Sequence, residues 1–179
     1  MKTLSSISEQ TISEFRWHFH SVKGFQAIPT QQTNGDGKRK FKYLAIKNQL
    51  NDQNWRNHFK TEVGLTPSPI VEENLCSWGA LDVDDYTVEG KLEVIKKAKT
   101  LKLVPAETKS GGLHLYCFVD VEVLARNMRG YLSHCRKELG LDPKTEIFPK
   151  QDEVKEDEYG NGITTVSYTH LRAHETVLD

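Results

Sequence analysis

Apolar residues recur at helical spacing over residues 5–20, where Ile7, Ile12, Phe15 and Phe19 follow a Ser-rich start and predict a first helix. Gln31 to Gly37 is a polar, glycine-containing stretch that reads as a loop, and it runs into the basic string Lys38-Arg39-Lys40-Phe41-Lys42. Tyr43 to Lys60 reads as a second helix, ending before Gly64 and the turn-forming Thr66-Pro67-Ser68-Pro69. From Ser77 the pattern changes. Ser77–Val83 predicts a strand, and Val88–Leu101 a helix with Val88, Leu92, Ile95, Ala98 and Leu101 on one face. Lys102–Glu107 and Leu113–Val119 predict strands. Leu124, Met128, Tyr131, Leu132, Cys135 and Leu139 then mark an amphipathic helix stopped by Gly140 and Pro143, before a short strand at Thr145–Phe148.

The order is β-α-β-β-α-β, so the fold class expected is α+β: a split βαβ unit of the ferredoxin-like or RNA-recognition-motif-like kind, preceded by a helical part. Residues 1–70 form the α-rich N-terminal part and 71–162 the core. With right-handed crossovers, the first core strand lies between the third and fourth, antiparallel to both. Its C-terminal end, with Asp82 and Asp84, then sits beside the starts of strands bearing His114 and Glu146. Alternation turns Leu81, Val83, Leu113, Leu115, Cys117 and Ile147 toward the helices, and Asp82, Asp84, His114, Tyr116 and Glu146 onto one open face.

Composition narrows the partners. The 179 residues suffice for one domain with a real core, and the net charge of −1 gives no global basic signature. A nucleic-acid partner would have to be met by local patches and metal ions. Three cysteines without CxxC spacing imply neither a disulfide framework nor a zinc knuckle, and fit a reducing compartment. Met1 to Ser6 carries no apolar core of signal-peptide length, and the longest apolar run, Leu115 to Val119, is too short to span a bilayer. A cytoplasmic protein with no membrane partner is expected.

The charged positions within these strands carry the candidate chemistry. Two aspartates at i, i+2 on a strand end, with a glutamate from the neighbouring strand, make a hard-oxygen set suited to Mg²⁺ or Mn²⁺, although a solvated strand end also carries such pairs. Ser110-Gly111-Gly112, with Lys109 beside it, has the ingredients of a phosphate-holding nest or of an ordinary hairpin turn. His114 is placed to contact a phosphate oxygen, and Lys150 to neutralise the same phosphates. Lys38, Arg39, Lys40 and Lys42 read as a solvated loop edge or as phosphate contacts. Taken jointly, these residues describe a metal–triphosphate site.

At these residues the chain resembles the archaeo-eukaryotic primase superfamily, the primase-polymerases, and within it the primase domain of phage and mobile-element replication proteins and of TOTE conflict systems. The family's hhDhD, sGGxH and hEhFPKq motifs match Trp78 to Asp84, Ser110 to Tyr116 and Thr145 to Gln151. The likeness covers about residues 60 to 162, including Gly64 to Ile70 before the first motif. It implies Asp82, Asp84 and Glu146 as catalytic ligands of two divalent ions, Mg²⁺ or Mn²⁺. It implies His114 as the contact to the phosphates of a nucleoside triphosphate, assisted by Ser110 and Lys109. Many members carry a serine where this chain has Gly112. The implied activity is template-directed nucleotidyl transfer, making or extending primers in the DNA replication of a phage or mobile element, within the bacterial host cytoplasm if phage-encoded.

Further partners follow from the same resemblance: a single-stranded DNA template met by the N-terminal part through Lys38 to Lys42 with Trp55 or Phe59 nearby, and a replicative helicase module in the full-length protein. Two other readings use the same sheet. A metal-dependent nuclease would use the carboxylates to activate water. A non-catalytic RNA-recognition-type module would stack bases on Tyr116 and Phe118. Beyond Gly162, Thr164 to Thr176 resembles translated sequencing-adapter read-through, so 163–179 is expected to be a non-native tail on a C-terminally truncated primase fold.

Overall fold

Alternation of side chains along one central strand organises the molecule. The computed structural model describes residues 7–33, 35, 39–46, 49–60, 63–84, 87–108, 111–155 and 157–166. Its elements run α1 (Glu9–His18), β1 (Gly24–Thr33), β2 (Arg39–Ile46), α2 (Asp52–Phe59), β3 (Gly64–Pro67), β4 (Leu75–Val83), α3 (Val88–Thr100), β5 (Val104–Glu107), β6 (Leu113–Leu124), α4 (Ala125–Glu138) and β7 (Glu146–Phe148). The last four strands form an antiparallel sheet in the order β5-β6-β4-β7, with β4 between β6 and β7 as the βαββαβ reading requires.

Leu81, Val83, Leu113, Leu115 and Cys117 point to one side and pack with Val94, Ala98, Met128, Leu132 and Cys135 of α3 and α4. Close approach of α4 depends on Gly79, where a Cβ would sit 2.7 Å from Met128 Cγ and 2.8 Å from Leu132 Cδ1. α3 starts on Thr87, whose side chain accepts from the Gly90 N–H. Its packed face takes in Ile95, Ala98 and Leu101 as expected, together with Val94, and Leu92 is left 45 % exposed. The three cysteines are free and buried, and burial pushes the Cys76 thiol up to about 12.

The other side of the sheet is not open. Trp78, Ala80, Tyr116 and Phe148 are buried beneath Ile12, Phe19, Leu50, Trp55, Phe59 and Leu65 of the N-terminal part, in a second core. Trp78, Tyr116 and Phe148 are large and mostly apolar, so leaving them in water would forfeit about 1.5–3 kcal/mol for each fully buried side chain. Phe19 is the plug: its ring meets Trp78 at 5.1 Å and Tyr116 at 5.0 Å, both edge to face. Trp55 and Phe59, expected near the template, are core residues with 0 % and 3 % exposure.

The N-terminal part also differs from the α-rich expectation. α1 and α2 are joined by the ion pairs Arg16–Asp52 and Arg56–Glu9, but between and after them lies a second antiparallel sheet in the order β2-β1-β3. The expected helix from Tyr43 to Lys60 is two elements, because Asn51 caps α2 with its side chain on Gln53 and Asn54 N–H groups and so starts the helix afresh. Thr66 and Pro67, read as the start of a turn, belong to β3.

Residues 163–166, the start of the expected tail, pack against the body of the domain. Ile163, Thr165 and Val166 are buried, and the Thr165 N–H donates to the Leu65 carbonyl at 2.9 Å. His58 ties α2 to this segment. Its Nδ1 accepts from the Leu65 N–H at 3.1 Å, so Nε2 carries the proton facing Thr165 Oγ1 at 3.2 Å. Residues 167–179 lie outside the described residues.

Burial holds the His58 imidazole below its ordinary value of 6.5, because charging it would cost desolvation and set a second N–H against Leu65. Between the folded and unfolded values the unfolded chain binds more protons. Stability is therefore full above the unfolded value and declines as pH falls from about 6.5 through the folded one. Urea midpoints at pH 7.5 and 5.5 are expected to separate more for the wild-type chain than for His58→Gln; equal separations would exclude His58 as the titrating group.

Candidate active site

Register, not proximity in sequence, assembles the candidate site. Asp82 on β4 stands opposite His114 on β6 and opposite Glu146 on β7, so the three form one row across three strands. All three share the face of Trp78 and Ala80, but they lie past the edge of the N-terminal core, where the row looks into a cavity of about 410 Å³. That volume is within the roughly 300–1,000 Å³ typical of small-molecule sites.

His114 is buried and doubly held. Its Nε2 is 3.3 Å from Asp82 Oδ1 and its Nδ1 is 2.9 Å from the Tyr116 hydroxyl. A carboxylate only accepts, so Nε2 bears the hydrogen that faces Asp82, and Nδ1 is turned to the Tyr116 hydroxyl. Burial pushes the Tyr116 phenol up, keeping its proton in place. The arrangement fixes the ring, with Nε2–H toward the carboxylate row.

Glu146 opens β7, and Lys150 lies two residues past its end. The Lys150 ammonium is 2.7 Å from Glu146 Oε1 and 4.8 Å from the centroid of the Phe148 ring. Arg129 of α4 pins this turn, donating to the Lys150 and Pro149 carbonyls and pairing with Asp152 at 2.7 Å.

The remaining sequence-derived candidates are placed as follows. Asp84, exposed just after β4, does not line the cavity, and its Cα lies 3.4 Å from where a Cβ on Gly112 would stand. Gly112 is required there, because that Cβ would also come within 2.6 Å of the Val83 carbonyl oxygen. Gly111 has φ of +91°. Lys40 and Lys42 lie on β2, which Arg39 opens. Lys38, Lys109 and Ser110 fall outside the described residues.

Motif reading missed most of the cavity's lining. One wall is Phe25, Tyr43 and Thr66 from the N-terminal sheet; another is the segment from Tyr159 to Thr164. Gly162 lets this segment lie on β3, since a Cβ there would meet the Pro67 and Thr66 carbonyl oxygens at 2.6 and 2.7 Å. The signal available was the Gly160-Asn161-Gly162 spacing and the apolar Ile163 and Val166 behind it.

Chemically, the row offers two carboxylates side by side, an imidazole N–H and an ammonium. Among the described residues no three His, Cys, Asp or Glu side chains form a cluster able to hold a metal ion. The donor set fits Mg²⁺ or Mn²⁺ all the same. Magnesium is commonly held by one or two carboxylates, with water and substrate phosphates completing its shell.

The family model for the archaeo-eukaryotic primase domain of TOTE conflict systems matches residues 12–174. The chain belongs to that family. Its primase domain is thus of the nucleotidyltransferase type, and the mixed α/β arrangement of antiparallel sheets is consistent with the family's fold. No curated protein matches the chain. No helix among the described residues of the primase domain is long and apolar enough to cross a membrane. Tyr116, offered as a base-stacking residue by the RNA-recognition-type reading, is instead buried behind His114, which removes it from any binding face.

Proposed function

We propose that this chain is a template-directed nucleotidyltransferase that makes or extends primers in the DNA replication of a phage or mobile element. The observation supporting it most directly is the in-register row of His114, Asp82 and Glu146 at the wall of a nucleotide-sized cavity. Asp82 and Glu146, with Asp84 two residues along, would hold two divalent ions, Mg²⁺ or Mn²⁺. When bound, these supply Lewis-acid stabilisation of charge on the reacting phosphoryl oxygens and activation of a primer 3′-hydroxyl.

The chain's own groups supply position and counter-charge. His114 would turn Nε2–H from Asp82 to the triphosphate, while Tyr116 holds the other ring nitrogen. The Lys150–Glu146 pair is half in solvent, where such pairs contribute only about 0–1 kcal/mol, so the ammonium is free energetically to exchange the carboxylate for a phosphate. Gly111 and Gly112 present backbone between β5 and β6 without side-chain obstruction. Lys38, Arg39, Lys40 and Lys42 are the proposed contacts to the single-stranded DNA template, and a helicase module is the further partner suggested by the family.

Labelled nucleoside triphosphates with a primed single-stranded template and Mg²⁺ or Mn²⁺ test the reading. Products longer than the input, abolished by EDTA, are expected; shorter products would instead favour a nuclease. His114→Asn is expected to raise the KM for nucleotide by about tenfold or more, the worth of one charge-assisted hydrogen bond, with a smaller effect on kcat. An unchanged KM would remove His114 from phosphate contact.

A further inference from the structure

We propose that the cavity-facing side of the β1–β2 ribbon, through Phe41 and Tyr43, is a stacking platform for the bases of a single-stranded DNA template. The proposal rests on the template-directed reading above and adds a surface to it. Tyr43 pairs in register with Ala27 and Phe41 with Pro29, while Phe25 pairs with Thr66 on β3. Alternation therefore puts Phe25, Tyr43, Phe41 and Thr66 on one face. Three of them, Phe25, Tyr43 and Thr66, line the cavity, and Phe41 is the next position outward along the same face.

Both outer rings are open to solvent: Tyr43 is 57 % and Phe41 50 % exposed. Half-exposed aromatics on an edge strand are a liability unless something covers them, and β2 is an edge of its sheet. Their spacing suits bases. Alternate residues on a strand are about 6.6–6.8 Å apart, roughly two stacking steps of about 3.4 Å, so one base fits between the rings.

Charge points to the same occupant. β1 and β2 contain Arg39, Lys40 and Lys42 and no acidic residue, in a chain whose net charge is −1. Lys40 and Lys42 alternate with the aromatic positions and so stand on the opposite face, but they are exposed on the edge strand, where long stems can curl round the edge toward the phosphates of a strand whose bases sit on the rings. The other large groove, about 640 Å³ beside Trp17 and Phe118, mixes Asp120 and Glu122 with Arg16, His18 and His20 and has no run of lysines.

The test uses the full chain and a fluorescein-labelled oligothymidylate, titrated by anisotropy, alongside binding of a fluorescent nucleoside triphosphate with Mn²⁺. Phe41→Ala and Tyr43→Ala are each expected to weaken oligonucleotide binding on the order of tenfold, the usual worth of one stacked base, and Tyr43→Phe and Phe41→Trp to retain it. Lys40→Gln with Lys42→Gln is expected to flatten the salt dependence. Phe41→Ala is expected to leave nucleotide binding unchanged.

Unaltered oligonucleotide affinity in both alanine variants would overturn the platform while leaving the polymerase reading intact, if primer extension by the wild-type chain persists. Self-association lost on Phe41→Ala, with DNA binding unchanged, would overturn it in favour of a second copy. Binding of oligouridylate more than tenfold tighter than oligothymidylate would overturn the assignment to DNA. A wild-type chain that binds nucleotide but neither extends primers nor binds oligonucleotide would end both readings.

Discussion

Asp82→Asn is expected to lower nucleotide incorporation by at least about a thousandfold, with Asp82→Ala/Asp84→Ala lower still, while the fold persists. Asp82 is the only carboxylate among the candidates flanked in register on both sides, by His114 and by Glu146. Asparagine keeps its shape and leaves an oxygen for the His114 Nε2–H, so the local packing is preserved. What disappears is the negative charge on which ion binding and phosphoryl chemistry depend, worth several kcal/mol in a metal-assisted transfer. Glu146→Gln should follow the same course, and its half-exposed partner Lys150 predicts almost no change in stability. The check is primer extension under saturating Mg²⁺ or Mn²⁺ with circular dichroism of the same samples. Extension by Asp82→Asn within tenfold of wild type would remove this residue from the chemistry.

Trp78→Ala is expected to cost about 3–5 kcal/mol of folding stability, the largest effect of any single substitution outside the chemistry. The indole is fully buried, meets Phe19 edge to face, and donates from Nε1 to the His20 carbonyl at 3.0 Å. Truncation leaves a cavity between the sheet and the N-terminal layer and strands a carbonyl that had a partner. Against a total of about 5–15 kcal/mol for a typical domain, that is about a fifth of the stability or more. Trp78→Phe, which keeps the ring contact but not the donor, should lose much less. Urea unfolding of both variants measures the difference, and a loss under 1 kcal/mol for the alanine variant would mean that the N-terminal layer does not depend on this contact.

The core was legible because its signals are local. Strict alternation through Leu81-Asp82-Val83 and Leu113-His114-Leu115 gives both strand and facing. Helical spacing through Met128, Leu132 and Cys135 gives α4, and right-handed crossover then fixes the strand order. The N-terminal sheet was not legible. β1 holds Pro29 and a run of Thr and Gln, β2 alternates Lys with aromatics, and β3 is four residues ending in proline, so each looks like loop or helix until it is paired.

The second face of the core sheet was misread for a related reason. Tyr116 and Trp78 carry polar atoms and fit an open face as well as a buried one, and only Phe19 arriving from α1 decides between them. In the site itself the motif residues Asp82, His114 and Glu146 were legible and do meet. The walls were not, because Phe25, Tyr43, Thr66 and Thr164 come from distant segments and bear no individually diagnostic chemistry.

β4 answers to a different core on each side and to a different strand along each edge, and Asp82 is its last residue paired along both edges. The surfaces that close around it come from the ribbon and from the 159–164 segment, neither of which belongs to that sheet. The molecule therefore works like an anvil with exchangeable jaws. Drift in the jaws alters what is gripped, and the striking point stays where it was.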